Sequence, residues 1–350
     1  MSSDKENEYL SDGITEDLST ALAQIKALRV PARTSSFVFK GKTEDIRKIG
    51  EQLNVATVLE GSVSKAGNKL RISAQPSNVA DGFHLWAATY DQEMTDIFAI
   101  RSDISRRVVD ALKIQLGIEE TQRLAKKPTE NLKAYELYLL GRFELNKFTE
   151  AGLTNSVEHF RRAITLDPSF ALAYAGLAEA YNMRGYWNYL PPKEAFPEAK
   201  RAAQKALELD SELAEAHTAL GFGYYEYEWL FKKADREFSE AVRLNPSSAT
   251  ARLWFAEFLL AMARYPEAME QIESARKFDP LSVRISFDVG VKFWFERQFE
   301  MAANQLEQTV SMDPSNSLAY DFLGQILWKL NKSAEAFSAF DKTNNLNGVF

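Results

Sequence analysis

From Pro246 to the C-terminus, apolar and small positions recur with a period of 34 residues. Pro246, Pro280 and Pro314 fall in register, and Gly348 takes the next step. The same offset carries Ala268 onto Ala302 and Ala336, Gly290 onto Gly324, and Ile272 onto Leu306 and Phe340. The chemistry of these slots predicts paired helices. A small residue such as Ala268 lets two antiparallel helices approach, and the large slot at Ile272 fills the space between them. Asp279-Pro280 then stops the second helix, because proline cannot continue it and drives the preceding residue out of the α region. A fixed period of this length marks a stack of repeats.

Upstream the pattern differs. Residues Met1 to Glu8 read as a flexible leader. Ile14, Leu18, Leu22 and Ile25 then follow at helical spacing, with Asp12 as the expected cap. Leu28-Arg29-Val30 reads as a short strand, and Thr43 to Leu53 as an amphipathic helix with Ile46, Ile49, Gly50 and Leu53 on one face. From Val55 the period falls to two. Val58, Glu60, Ser62 and Ser64 alternate with Leu59, Gly61, Val63 and Lys65. Ala66-Gly67-Asn68 is a turn, and Leu70, Ile72 and Ala74 resume the alternation. After Asp81-Gly82 come Leu85, Ala87 and Thr89, with Trp86 and Tyr90 on the opposite face, which completes a three-strand antiparallel meander. A helix from Ile97 to Leu116 closes this part, and the polar stretch Glu119 to Lys133 reads as a linker.

Two resemblances attach to these residues. The 34-residue unit resembles the tetratricopeptide helix–turn–helix repeat. Six such units are expected, at 134–168, 169–211, 212–246, 247–280, 281–314 and 315–350. The second has a turn expanded through Trp187-Asn188-Tyr189-Leu190-Pro191-Pro192, the third has one extra residue near Trp229, and the last ends at Phe350 without a polar capping helix. The segments Tyr9-Leu10-Ser11-Asp12-Gly13-Ile14-Thr15-Glu16, Arg33-Thr34-Ser35-Ser36-Phe37, Leu59-Glu60-Gly61-Ser62-Val63 and His84-Leu85-Trp86-Ala87 resemble the TolB-like amino-terminal domain of bacterial signalling proteins. The expected fold is an α+β domain over 9–116, with a mixed or antiparallel sheet and helices. A linker follows over 117–133, and then an all-α right-handed tetratricopeptide superhelix over 134–350. The TolB-like family normally opens with a buried strand ahead of the position of Tyr9. Its absence here implies a fragment, or an exposed sheet edge open to strand exchange.

Composition narrows the function. The 350 residues are 45% hydrophobic and 26% charged, as in soluble globular proteins. Net charge is −7, spread as −2 over residues 1–125 and −5 over the rest, which argues against non-specific binding of nucleic acid or anionic membranes. The chain has no cysteine, which excludes disulfides, thiolate metal sites and cysteine nucleophiles. No apolar run is long enough to span a bilayer.

Candidate chemistry is sparse. His84, His159 and His217 are far apart, and none has a partner at metal-ligand spacing. Gly221-Phe222-Gly223 lacks the third glycine of a dinucleotide loop, and Gly61 to Gly67 lacks the lysine of a phosphate loop. Glu44-Asp45 and Glu119-Glu120 sit on solvated helix ends, and Ser35-Ser36 has no basic partner nearby in sequence. No catalytic residue, metal site or cofactor is expected. The tetratricopeptide resemblance implies that the first helix of each unit lines a ligand-binding concave face. Carried over residue by residue, that face comprises Tyr138, Arg142 and Asn146; Glu179 and Asn182; Phe222 and Tyr225; Glu257; Arg284, Phe287 and Trp294; and Asp321, Gln325, Trp328 and Lys329. Aromatics there serve to anchor a partner unless they pack between neighbouring helices. The expected function is a non-catalytic interaction or sensory scaffold that binds a protein or peptide. Self-association is expected through the sheet edge or the last repeat, and no nucleic-acid-binding or membrane-spanning segment is expected. The resemblances imply a bacterial signalling protein, on the cytoplasmic or periplasmic side of a membrane. In that setting the chain would be the C-terminal part of a class III adenylate cyclase, a winged-helix transcription regulator or a Ser/Thr kinase.

Overall fold

The computed structural model describes residues 8–25 and 27–347. The expected leader up to Asn7 lies outside them, as do Gly348 and Phe350. The first helix, α1 (Glu8–Ala23), starts before Asp12, so Asp12 is not its cap. The Asp12 carboxylate is buried instead, 2.6 Å from Lys40 Nζ and 3.4 Å from Arg33 Nη2. Burial raises its pKa against the pull of Lys40 and Arg33. Leu28 to Val30 is irregular rather than a strand, and a short helix, α2 (Arg33–Phe37), follows. The next helix, α3 (Ile46–Leu53), is capped by Asp45, whose Oδ1 accepts from Arg47 N at 2.8 Å.

The expected meander forms, with strands β1 (Thr57–Ala66), β2 (Lys69–Asn78) and β3 (Ala88–Glu93) in the order β1-β2-β3, both pairs antiparallel. Val63 sits opposite Ile72, and with Leu70 and Ala74 they form the buried face. The third strand begins later than Leu85. Only Ser77 and His84 bridge ahead of it, and Leu85 N donates to Pro76 O. Pro76 has no N–H to return on that side, so the ladder breaks there and resumes at Ala88. Among the described residues the outer edges of β1 and β3 pair with no further strand. Helix α4 (Ile97–Ala111) ends short of Leu116, at the positive-φ residue Lys113. The expected linker contains a helix, α5 (Ile118–Ala125), held down by buried Leu124 and by Ser102 Oγ and Arg101 Nη2, which donate to Leu124 O and Lys126 O. Those anchors lie on α4, too far away in sequence to register in a local pattern.

Six antiparallel pairs of helices follow: α6 (Leu132–Leu145) with α7 (Glu150–Leu166), α8 (Ala171–Tyr186) with α9 (Pro192–Leu209), α10 (Ala214–Glu226) with α11 (Phe231–Leu244), α12 (Ala249–Ala261) with α13 (Tyr265–Phe278), α14 (Val283–Phe295) with α15 (Phe299–Met312), and α16 (Ser317–Lys329) with α17 (Ser333–Asn347). The small and large slots of the sequence period meet in space. Ala268, Ala302 and Ala336 are fully buried. A Cβ on Gly290 would lie 2.8 Å from Leu306, and one on Gly324 would lie 2.6 Å from the Phe340 ring. The period also appears in the backbone. Past the first helix of each pair, one residue takes positive φ: Phe148, Asn188, Trp229, Ala263, Arg297 and Asn331. The following N–H then reaches back to close the helix, as from Arg264 to Leu259 O, Gln298 to Phe293 O and Lys332 to Leu327 O.

The chain forms two compact units, one up to Ala251 and one from Arg252. The sheet domain and the first three helix pairs thus share a unit. In the first unit the core runs continuously from Leu10, Ile14, Leu70 and Ile104 to Tyr135, Leu139 and Phe170. The second has its own core around Leu306, Leu323 and Ile326.

Candidate partner-binding surface

In the first unit, the expected ligand face of the first repeat is already occupied. Helix α1 packs on α6. Glu16 Oε1 accepts from Arg142 Nε and Nη2 at 2.9 and 2.7 Å, and its Oε2 accepts from Asn146 Nδ2 at 3.2 Å. Arg33 Nε lies 3.3 Å from the same carboxylate. Arg142 also donates to Glu179 at 2.6 Å. Burial pulls the Arg142 pKa down, but Glu16 and Glu179 more than reverse this and hold it well above its ordinary value. One residue along α1, Asp17 accepts from Tyr135 Oη at 2.8 Å and from Arg101 Nη1 at 3.1 Å. Arg142, Asn146 and Glu179 are therefore brought together, around a carboxylate of the chain itself. Tyr138 is half-buried beside them, its ring 5.2 Å from Phe170 and 5.9 Å from Phe160.

Phe222 is a correction. Its side chain is 2% exposed and packs between Phe196 and Tyr186, so it is core and offers nothing to a ligand. Asn182 is also 2% exposed. Its Nδ2 donates to Ala219 O at 2.9 Å and ties α8 to α10, while its Oδ1 has no hydrogen-bond partner among the described residues. Tyr225 is half-buried.

In the second unit, Arg284 is committed internally. It donates to Glu257 and to Asp288, and its guanidinium lies over the Trp254 ring at 5.3 Å. Burial lifts the Asp288 carboxyl to about 6 despite Arg284 beside it. Phe287 is buried and meets Phe322 edge-on at 5.3 Å, which makes it core as well. Trp294 is half-buried and edge-on to Phe299 and Phe322. Asp321 accepts from Gln325 Nε2 at 2.9 Å. Trp328 and Lys329 are exposed, Trp328 to 53%. Trp328 pairs edge-on with Phe337, which is 59% exposed, at 5.8 Å. The sequence reading passed over Phe337, which lies on the second helix of its pair. The signal was available: the 34-residue offset places Phe337 where the preceding repeat has Ala303.

Two of the three histidines make side-chain contacts within the chain. His217 Nδ1 and Glu237 Oε2 are 2.7 Å apart and join α10 to α11. His84 Nδ1 is 2.8 Å from the Oγ of Ser77, a fully buried serine. Among the described residues no group of three or more histidines and carboxylates is placed to hold a metal, and no helix is long and apolar enough to cross a membrane.

The helix pairs stack in a tetratricopeptide-like arrangement. A tetratricopeptide repeat family model matches residues 231–283 and 290–344. The chain is 37% identical over 222 residues to a Rhizobium meliloti protein named "Putative adenylate cyclase 3", a match covering 63% of this chain and 38% of that protein. It is 28% identical over 150 residues to the transcriptional regulator HilA of Salmonella typhimurium, covering 41% of this chain and 26% of HilA. The chain thus spans well under half the length of either relative. Among solved structures, human IFIT1, a dimer with m7Gppp-AAAA, matches with a TM-score of 0.53 at 15% identity, over 70% of this chain and 54% of that one. That likeness concerns the fold alone.

Proposed function

We propose that this chain is the non-catalytic interaction part of a bacterial signalling protein. In this reading a TolB-like domain over residues 9–116 leads into repeats, and the second unit holds a partner polypeptide. The observation that carries the reading is the Trp328–Phe337 pair. Two large rings stand half or more in water, against each other and beside Lys329. Rigid aromatic area of this kind is typical of the residues that carry binding energy at interfaces. Gln325 and Asp321, one and two turns back along α16, supply polar contacts to a peptide backbone. Panning a random peptide display library on the full chain tests this. Selected peptides are expected to lose at least tenfold in affinity on Trp328→Ala and on Phe337→Ala. Peptides that bind both variants as tightly as the parent chain, or a library that yields no binder, contradict the proposal.

The similarity to the Rhizobium protein favours a second, compatible reading: the chain regulates an adenylate cyclase head in the same polypeptide. The similarity to HilA supports a DNA-binding head instead. Translating the genomic reading frame upstream separates them. A metal-binding aspartate pair means a cyclase, and a basic recognition helix means a transcription regulator.

A further inference from the structure

We propose that the inner face of the first three repeats is a binding site for an acidic amphipathic helix, and that α1 is its displaceable resident ligand. The contacts run along the whole helix. Near its start, a Cβ on Gly13 would come within 2.8 Å of Leu139, so only glycine admits this approach to α6. In the middle, Glu16 takes three donors from Arg142 and Asn146, and Asp17 takes Tyr135 and Arg101. At its end, Ser247 Oγ, beyond the third helix pair, donates to Ala23 O at 3.0 Å. A helix that meets α6 at one end and the residue after α11 at the other lies across the repeats as a bound peptide would.

Leu10, Ile14 and Leu22 of α1 join the core of the first unit, yet two features mark its contact with the repeats as exchangeable. First, seven of its sixteen residues are Ser, Thr, Asp or Gly, among them Ser11-Asp12-Gly13 in succession. Such a segment is a poor helix in isolation and owes its helicity to the surface that receives it. Second, its fit is incomplete. A cavity of about 80 Å³, lined by Leu139 and Leu172 as well as by Glu16, Asp17, Arg142 and Glu215, remains between α1 and the repeats. That is room for a few waters, through which the contact can exchange. The recognition chemistry is explicit. A competitor must carry a carboxylate where Glu16 sits and a second where Asp17 sits, with a small residue facing Leu139.

This inference does not rest on the partner reading of the second unit, and its test reads only the first. Hydrogen exchange on the wild-type chain is expected to show α1 amides exchanging at least tenfold faster than those of α6 and α8. A synthetic peptide spanning residues 8–25 is expected to bind a full-length Glu16→Lys chain at least tenfold more tightly than it binds the wild type. The same peptide carrying Glu16→Lys is expected not to bind. If α1, α6 and α8 exchange at a single rate, α1 is part of one cooperative core and the proposal is wrong, whether or not the variant folds. Faster exchange without charge-dependent peptide binding overturns it equally.

Discussion

Replacing Glu16 tests whether its carboxylate joins α1 to the repeats or is a bystander. Glu16 and Arg142 are each only 18% exposed, so their attraction is weakly screened. Glu16→Ala removes the acceptor of three hydrogen bonds and orphans Asn146 Nδ2. Breaking a fully buried pair costs about 3–5 kcal/mol. Here Arg142 keeps Glu179 and Arg33 keeps Asp12, which lowers the cost to about 2–3 kcal/mol. For a unit of this size that lowers Tm by about 4–12 °C. Urea and thermal unfolding of the wild type, Glu16→Ala, Arg142→Ala and the double variant form a cycle. The coupling is expected to exceed about 1 kcal/mol. Additivity within about 0.3 kcal/mol, or a Tm unchanged in Glu16→Ala, would refute the assigned role of the carboxylate.

Three further outcomes follow from the packing and the buried charges. Asp288 has a folded pKa raised to about 6 above an ordinary value of 3.8, so the folded state binds its proton more tightly than the unfolded. Its contribution is whole below the unfolded pKa and is lost as pH rises through the folded one, so the second unit should weaken between about pH 4 and 6. Asp288→Asn should flatten that slope in pH-dependent urea melts. Gly324→Ala drives a methyl to within 2.6 Å of Phe340 and should cost about 1–3 kcal/mol by thermal melt, whereas a neutral result would mean α16 and α17 can separate freely. Trp229 is 72% exposed in a left-handed backbone (φ 55°), so Trp229→Gly should raise stability by about 1 kcal/mol, and a loss would mean the ring packs on something.

The legible parts of the fold were those whose cause lies within one repeat or one hairpin. The 34-residue offset located the small slots Gly290 and Gly324 and the large slots Leu306 and Phe340, which meet within one helix pair each. Period-two alternation located β1 and β2 for the same reason. The seat of α1 was not legible. Glu16 and Arg142 are 126 residues apart, and Asp12, a good cap by local rules, was recruited by Lys40 and Arg33 from another element. Similarly, Arg142 and Arg284 both read as cations awaiting a ligand, and both are satisfied by carboxylates of the chain itself. Phe222 and Phe287 sit at the spacing of a ligand face, but spacing alone does not separate a ring that faces a groove from one wedged against the next helix.

The central claim concerns where a partner sits, and carbene footprinting of the full chain with a display-selected peptide reads that directly. Labelling of Trp328, Lys329 and Phe337 is expected to fall severalfold on saturation, with Trp187 and Trp229 unchanged. Protection confined to the Trp187 and Trp229 turns, with Trp328 labelled as in the free chain, would contradict the account.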